Sequence, residues 1–159
     1  IQAALTGHRV FSTLHTEDAC SAMYRLLEMG LAPYLLAATL KGVVAQRLVR
    51  RVCPACAETV SLSVEEALLL GDEGLAGRAV RRGTGCEACH GTGYRGRLAL
   101  QEVLVLDDGL RRALLRGSSL AELRDLSARS GCQSLCADGR RKVLAGLTTA
   151  AEVRRVLYG

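Results

Sequence analysis

The chain has 159 residues, enough for one sizeable hydrophobic core or two small ones. Hydrophobic residues make up 49% of it, as in an ordinary globular protein, and no run approaches the ~18 apolar residues of a membrane span. The net charge is +5, but one Phe, four Tyr and no Trp offer few rings for stacking bases, which argues against nucleic-acid binding.

The first residues predict the end of a helix and then a strand. Residues 1–6 are typical of the last turns of a helix that ends at Gly7, so we expect the chain to be a piece of a longer protein. The run from His8 to His15 is rich in strand-forming residues. A ligand site at the carboxyl end of this strand would include His15 and Thr16. The alternative is that both histidines are ordinary polar residues at strand ends.

Two helices and a second strand follow, which together predict an α/β fold. The first helix covers residues 18–29 and is stopped by Gly30, and Pro33 suits the first turn of the second. The alternation of residues 43–52 predicts a strand, with a continued helix as the alternative. This element leads directly into a pair of cysteines.

Four of the seven cysteines have the spacing of metal ligands. They form two Cys-x-x-Cys pairs separated by residues 57–85: Cys53, Cys56, Cys86 and Cys89. Two such pairs are a common way to bind Zn²⁺ tetrahedrally, and they predict a closed structural zinc site. The alternatives are two disulfides or four buried thiols. An odd number of cysteines, four of them with metal spacing, fits a reducing compartment better than a disulfide-bonded secreted protein.

Between the two pairs the chain makes a small excursion. Ser63 and Glu66 have the spacing of a capping box, which predicts a helix that ends at Gly71. A short strand over residues 79–81 then returns to the second pair. So short an excursion has little core of its own, and we expect a metal at its base to stabilise it.

A strand and four short helices are predicted after the second pair. The glycine-rich residues 91–97 lack the GxxxxGK[ST] pattern of a phosphate-binding loop and lead to a strand over 98–106. Glu102 lies in this strand and is expected to pair with Arg95 or Arg97. Capping residues then open four amphipathic helices, which predict a small bundle. The helix starts are near Asp107, Ser119, Ser134 and Thr149.

In order along the chain, several segments resemble one known family, the type II secretion and type IV pilus assembly ATPases of the GspE/PilB kind. The segments are residues 4–19, which resemble the family's His box, residues 45–51, the four cysteines, residues 93–97 and residues 142–149. The resemblance covers essentially the whole chain, and the His box together with the four cysteines is specific.

The resemblance implies a fold and an organisation. It implies the C-terminal portion of a RecA-like P-loop ATPase domain with an inserted four-cysteine zinc subdomain and a small C-terminal helical bundle. Residues 1–52 would belong to the ATPase core, residues 53–97 to the zinc subdomain, and residues 98–159 to the last strand and the bundle. The four cysteines would bind a structural Zn²⁺.

The resemblance also implies a function and its residues. The family members are cytoplasmic hexameric motors at the bacterial inner membrane. They dock on an inner-membrane platform and couple ATP hydrolysis to protein secretion or to pilus or pseudopilus assembly. His15, with His8, would respond to the γ-phosphate of ATP. Gln46 and Arg47 would lie near the nucleotide pocket, and ATP and Mg²⁺ would be bound by the full-length protein.

Residues needed for phosphoryl transfer are absent from the sequence. It contains neither the Walker A nor the Walker B motif, and without the P-loop and Mg²⁺ ligands the reacting phosphates have no binding site. We therefore expect the parent protein to be an ATPase and this piece alone to be inactive.

Two other functions fit parts of the sequence. A zinc-ribbon module that binds nucleic acid would fit the net charge beside the cysteines, with an affinity that falls steeply with salt. A chaperone-type zinc module would fit the second cysteine pair, but the first pair does not repeat its pattern.

Overall fold

In the computed structural model, which describes all 159 residues, the chain folds into eight α-helices and four β-strands. The helices are α1 (Gln2–Leu5), α2 (Ala19–Glu28), α3 (Pro33–Thr39), α4 (Val64–Leu69), α5 (Asp108–Arg116), α6 (Leu120–Arg129), α7 (Leu135–Leu144) and α8 (Ala150–Tyr158). The strands are β1 (Gly42–Val52), β2 (Ala57–Ser61), β3 (Ala79–Gly83) and β4 (Tyr94–Val105). Two 3-10 turns cover Glu73–Leu75 and Glu87–Cys89.

The strands form two separate two-stranded sheets. In one, β1 pairs with β4. In the other, β2 and β3 are antiparallel, with Ala57 opposite Gly83 and Ser61 opposite Ala79. The second sheet is the excursion between the cysteine pairs, so both of its ends lead back to the cysteines. No helix combines the length and apolar character that a membrane span needs.

The chain divides into two compact units. The first contains residues Ile1–Ala45 and Glu102–Ser134, and the second contains Gln46–Gln101 and Leu135–Gly159.

The first unit has a core of helices around the end of β4. Its largest fully buried side chains are Met23, Leu36, Leu104, Leu110, Leu114 and Leu123. Here α3 packs against α5, and α6 packs against α2 and α5. Asp18 starts α2 by accepting the backbone N–H of Ser21 at 2.6 Å, and its other oxygen binds Arg124 at 2.7 Å. Glu102 accepts the N–H of Ala19 at 3.0 Å, so this buried carboxylate also supports the first turn of α2.

The strand predicted for residues 8–15 does not form. This segment has no regular secondary structure, and Phe11 is 94% exposed. A β-strand needs a neighbouring strand for its hydrogen bonds, and no strand of this chain pairs with the segment. The prediction was wrong because it used residue types alone, and these do not show whether a neighbouring strand is present.

The second unit has its own core between the strands and the helices α4, α7 and α8. The buried side chains include Val49, Leu62, Leu70, Leu100, Val143 and Val153. Helix α8 packs against α4 and α7. Gly139 permits the close approach of α7 and α8, because a Cβ there would lie 2.8 Å from a methyl carbon of Val153.

The last four helices differ from the predicted single bundle. Helices α5 and α6 belong to the first unit, whereas α7 and α8 belong to the second. Short connections bring consecutive helices together in pairs, but the apolar face of each pair determines which other elements it packs against. The pair α5–α6 contacts α2 and α3, and the pair α7–α8 contacts α4 and β3.

Candidate metal centre

The sulfur atoms of the two cysteine pairs converge on one point in the second unit. All four Sγ atoms lie within 4.8 Å of one another. The Sγ–Sγ distances are 3.7 Å for Cys86–Cys89, 3.8 Å for Cys56–Cys89 and 4.0 Å for Cys53–Cys86. A Zn²⁺ with four Zn–S bonds of ~2.3 Å at tetrahedral angles separates its sulfurs by about 3.8 Å. The four cysteines therefore can hold a zinc ion with little rearrangement.

Each pair of cysteines is held by the local backbone. Cys53 directly follows β1, and Cys56 directly precedes β2. Cys86 is the residue before the 3-10 turn that ends at Cys89, and the left-handed backbone of His90 (φ 51°) turns the chain after it. Both pairs are thus loops whose ends are fixed by strands or by a helical turn.

Backbone N–H groups point at one of the four sulfurs. The N–H groups of Cys86 and Gly93 donate to Sγ of Cys89 at 3.2 and 3.3 Å. Burial alone would raise the pKa of the Cys89 thiol, but these hydrogen bonds outweigh it and lower the pKa to about 6. Burial and the neighbouring thiols raise the pKa of Cys56 to about 11. The fold thus stabilises one thiolate, and four thiolates at this distance need a cation between them.

Two backbone segments beside the cysteines approach so closely that only glycine fits. A Cβ on Gly93 would lie 2.5 Å from the carbonyl oxygen of Gly83, and a Cβ on Gly83 would overlap the carbonyl group of Gly93. Gly93 also has a positive φ of 74°, which favours glycine. The carbonyl oxygen of Gly93 accepts the N–H of Cys53 at 2.9 Å. Gly93 therefore contacts both cysteine pairs, by its N–H and by its carbonyl group.

The two histidines predicted to act in catalysis lie in the irregular segment of the first unit. Nδ1 of His8 is 3.0 Å from Oγ1 of Thr6 and 3.2 Å from the carbonyl oxygen of Ala3. His15 is exposed. The structure brings the four cysteines together as a candidate metal cluster that includes neither histidine. The catalytic role of His8 and His15 stays a prediction.

The two residues predicted to lie near a nucleotide are neighbours on β1 in the second unit. Gln46 is exposed, and Nη1 of Arg47 donates to the carbonyl oxygen of Gln46 at 3.0 Å. Their role at a nucleotide pocket also stays a prediction.

A buried carboxylate in the second unit was missed by the sequence analysis. Glu152 on α8 is 1% exposed and binds the guanidinium groups of Arg50 and Arg155 at 2.6 and 2.8 Å. Burial would raise the pKa of Glu152, but hydrogen bonds from the two arginines lower it to about 2. Its spacing from Thr149 indicated only a helix cap, and Arg155, three residues later, was the one local signal of an ion pair.

A mixed α/β fold with a four-cysteine centre can be compared with known families. Residues 1–155 match the family described as "Type II/IV secretion system protein", and the chain therefore belongs to this family. The family resemblance found in the sequence is confirmed.

Characterised relatives match nearly the whole chain. It is 47% identical over 154 residues to "Type IV pilus assembly ATPase PilB" of Thermus thermophilus, covering 96% of this chain and 17% of that protein. It is 47% identical over 156 residues to "Type II secretion system protein E" of Pseudomonas aeruginosa, covering 98% and 31%. A PilB of Myxococcus xanthus is 44% identical over 158 residues, covering 96% and 28%. The chain thus spans between 17% and 31% of the length of these relatives.

Proposed function

We propose that this chain is the C-terminal part of a motor ATPase that couples ATP hydrolysis to protein secretion or to the assembly of a pilus or pseudopilus. The observation that carries the proposal is the family match over residues 1–155. It is supported by 44–47% identity to relatives that are named as type IV pilus assembly ATPases or as a type II secretion system protein. The fold would be the C-terminal portion of a RecA-like P-loop ATPase domain.

The complete motor, rather than this chain alone, would hydrolyse ATP. Residues 1–159 contain no GxxxxGK[ST] sequence, so they offer no P-loop for the phosphates of ATP and Mg²⁺. In the complete protein, His15 and His8 would respond to the γ-phosphate, and Arg47 and Gln46 would lie near the nucleotide. The motor would be a homo-hexamer at the cytoplasmic face of the inner membrane, bound to platform and docking proteins.

The four cysteines would hold a structural Zn²⁺. Four thiolates complete the tetrahedral shell and leave no open position for a substrate, so the metal would stabilise the fold rather than take part in hydrolysis. The β2–β3 sheet would be joined to the end of β1 and the start of β4 through the metal. The metal would add to the packing of the excursion's buried side chains, such as Leu62 and Leu70, because a metal-binding free energy of this kind is also a folding free energy.

A chimeric motor tests the proposed ATPase function. The matching 154 residues of the Thermus thermophilus PilB are replaced by this chain, and ATP hydrolysis is measured for the chimera and for the chain alone. We expect turnover from the chimera and none from the chain. A chimera that folds and assembles like PilB but does not hydrolyse ATP would contradict the proposal, as would turnover by the chain alone.

The role of His15 is tested in the same chimera. We expect His15→Ala to reduce turnover without changing the assembly state. His90→Asn is the matched control, because His90 is an exposed histidine outside the proposed His box, and Asn tolerates its left-handed backbone. Equal turnover by the two variants would remove His15 from the mechanism.

A further inference from the structure

The carboxylate of Glu152 is the centre of a hydrogen-bond network in the second unit. It accepts the backbone N–H of Arg50 at 2.9 Å and Nη2 of the same residue at 2.6 Å. It also accepts Nε and Nη2 of Arg155 at 2.8 and 3.0 Å. The side chain is 1% exposed, so these four donors, rather than water, satisfy its charge.

One branch of this network runs along β1 to Cys53. Beside the bond from Arg50 to Glu152, Oγ1 of Thr148 donates to the carbonyl oxygen of Arg50 at 2.8 Å, and the N–H of Val52 donates to the carbonyl oxygen of Leu147 at 2.9 Å. The peptide groups of the last residues before the first cysteine pair are therefore fixed by residues 147–152. The backbone N–H of Cys53 then donates to the carbonyl oxygen of Gly93 at 2.9 Å.

A second branch runs through β4 to Cys89. Thr149 caps α8 by accepting the N–H of Glu152 at 3.3 Å, and its hydroxyl is 2.8 Å from the hydroxyl of Tyr94. The guanidinium carbon of Arg50 lies 4.2 Å from the centre of the Tyr94 ring, in cation–π contact. The preceding residue, Gly93, donates its N–H to Sγ of Cys89 at 3.3 Å.

We propose that Glu152 is a positioning residue for the metal centre, acting on Cys53 through Arg50 and on Cys89 through Tyr94 and Gly93. The inference rests on the zinc site proposed above. Residues outside the ligand shell orient metal ligands, and their loss typically lowers metal affinity about 10- to 100-fold. An amide at position 152 lacks the negative charge and one of the two acceptor oxygens that bind the guanidinium groups, so Arg50 would be held less tightly over the ring of Tyr94 and both ligand-bearing strands would loosen.

The second unit contains a matched control, the buried carboxylate of Asp138 on α7. It is 3% exposed, accepts the N–H of Gln101 at 2.9 Å and binds Arg141 at 2.5 Å and Lys142. Asp138 therefore has the same burial and the same kinds of partner as Glu152. Its contact on β4, Gln101, is seven residues from Tyr94, a separation of about 23 Å along an extended strand.

The test compares zinc release from the 159-residue chain and its variants. Zinc-loaded wild type, Glu152→Gln and Asp138→Asn are mixed with a chromogenic chelator, and the ligand-field spectrum of the Co²⁺-substituted proteins reports the site's geometry. We expect Glu152→Gln to release zinc about 10- to 100-fold faster than the wild type, with an altered Co²⁺ spectrum. Asp138→Asn is expected to keep the wild-type spectrum and a release rate within about twofold of wild type.

Equal release rates and spectra for the two variants would overturn the inference, even if both are less stable than the wild type. If Glu152→Gln does not fold, Tyr94→Phe removes only the hydroxyl that contacts Thr149. We expect several-fold faster release from that variant, and a wild-type rate would overturn the inference. A wild-type chain that binds no zinc would refute the proposed metal centre itself. Zinc bound equally well by every variant would refute only the role of Glu152.

Discussion

Replacing Gly93 by alanine tests whether the close backbone contact beside the metal centre stabilises the protein. Gly93, directly before β4, and Gly96, within β4, both have positive φ, 74° and 79°. A Cβ at Gly93 would lie 2.5 Å from the carbonyl oxygen of Gly83, whereas a Cβ at Gly96 would have no atom within 4 Å. Gly96→Ala therefore changes the backbone preference alone, and Gly93→Ala adds a collision with backbone atoms.

The expected losses follow from these two contributions. A left-handed backbone costs a non-glycine residue roughly 1–2 kcal/mol, which is the whole effect expected for Gly96→Ala. Overpacking against atoms that cannot move aside adds about 1–3 kcal/mol. We expect the free energy of unfolding to fall by about 2–5 kcal/mol for Gly93→Ala, and zinc to be released faster because Gly93 contacts both cysteine pairs.

Unfolding in urea is monitored by the absorption of a Co²⁺ ion bound at the cysteines, so it measures the loss of stability in the second unit specifically. The slope of the free energy against urea should be the same for both variants, so that the midpoints can be compared. Equal losses for Gly93→Ala and Gly96→Ala would refute the reasoning, because they would show that the contact with Gly83 has no energetic effect.

Three further predictions follow from the described contacts. Cys89→Ser, or removal of the metal by a chelator, should make residues 57–83 sensitive to protease. Unchanged protease resistance would contradict the proposal that a bound metal stabilises these residues. In the first unit, Asp18→Ala should lower the free energy of unfolding by about 1–2 kcal/mol, because the helix cap is lost together with the ion pair. Arg124→Ala loses only the ion pair and should lower it by at most about 1 kcal/mol. Thermal unfolding measures both losses, and a larger loss for Arg124→Ala would contradict this. Although burial works against ionisation, hydrogen bonds from Ser21 and Arg124 lower the pKa of Asp18 below its usual 3.8. The stability advantage of the wild type over Asp18→Asn should therefore be complete above about pH 3.8 and disappear as the pH falls below it, and a difference independent of pH would contradict the ion pair.

Local sequence patterns predicted the cysteine cluster and the helix starts. Two Cys-x-x-Cys pairs predicted one cluster because two such loops supply the four ligands of a tetrahedral ion. Ser63 and Glu66 form both bonds of the predicted capping box, each at 3.1 Å. The alternation of residues 43–52 correctly predicted β1, which covers Gly42–Val52. Within each cysteine pair, in the capping box and along β1, the residues that carry the pattern lie a few positions apart in the sequence.

Features that depend on distant partners were missed or wrongly predicted. Residues 8–15 have the composition of a strand, but a strand exists only beside another one. Glu152 has the spacing of a capping residue, yet its carboxylate binds Arg50, which is 102 residues away. No local pattern encodes such a pairing, and only the packing of α8 against the end of β1 creates it.

The separation of the cysteine pairs along the chain also sets an order of events during synthesis. Cys53 and Cys86, whose sulfurs are neighbours in the fold, are 33 residues apart. At about 5–20 residues per second, the second of them emerges from the ribosome roughly 2–7 s after the first. During this interval the first pair has only two of the four sulfurs, so a nascent chain passes through a stage in which oxidants and competing metal ions can reach the exposed thiols.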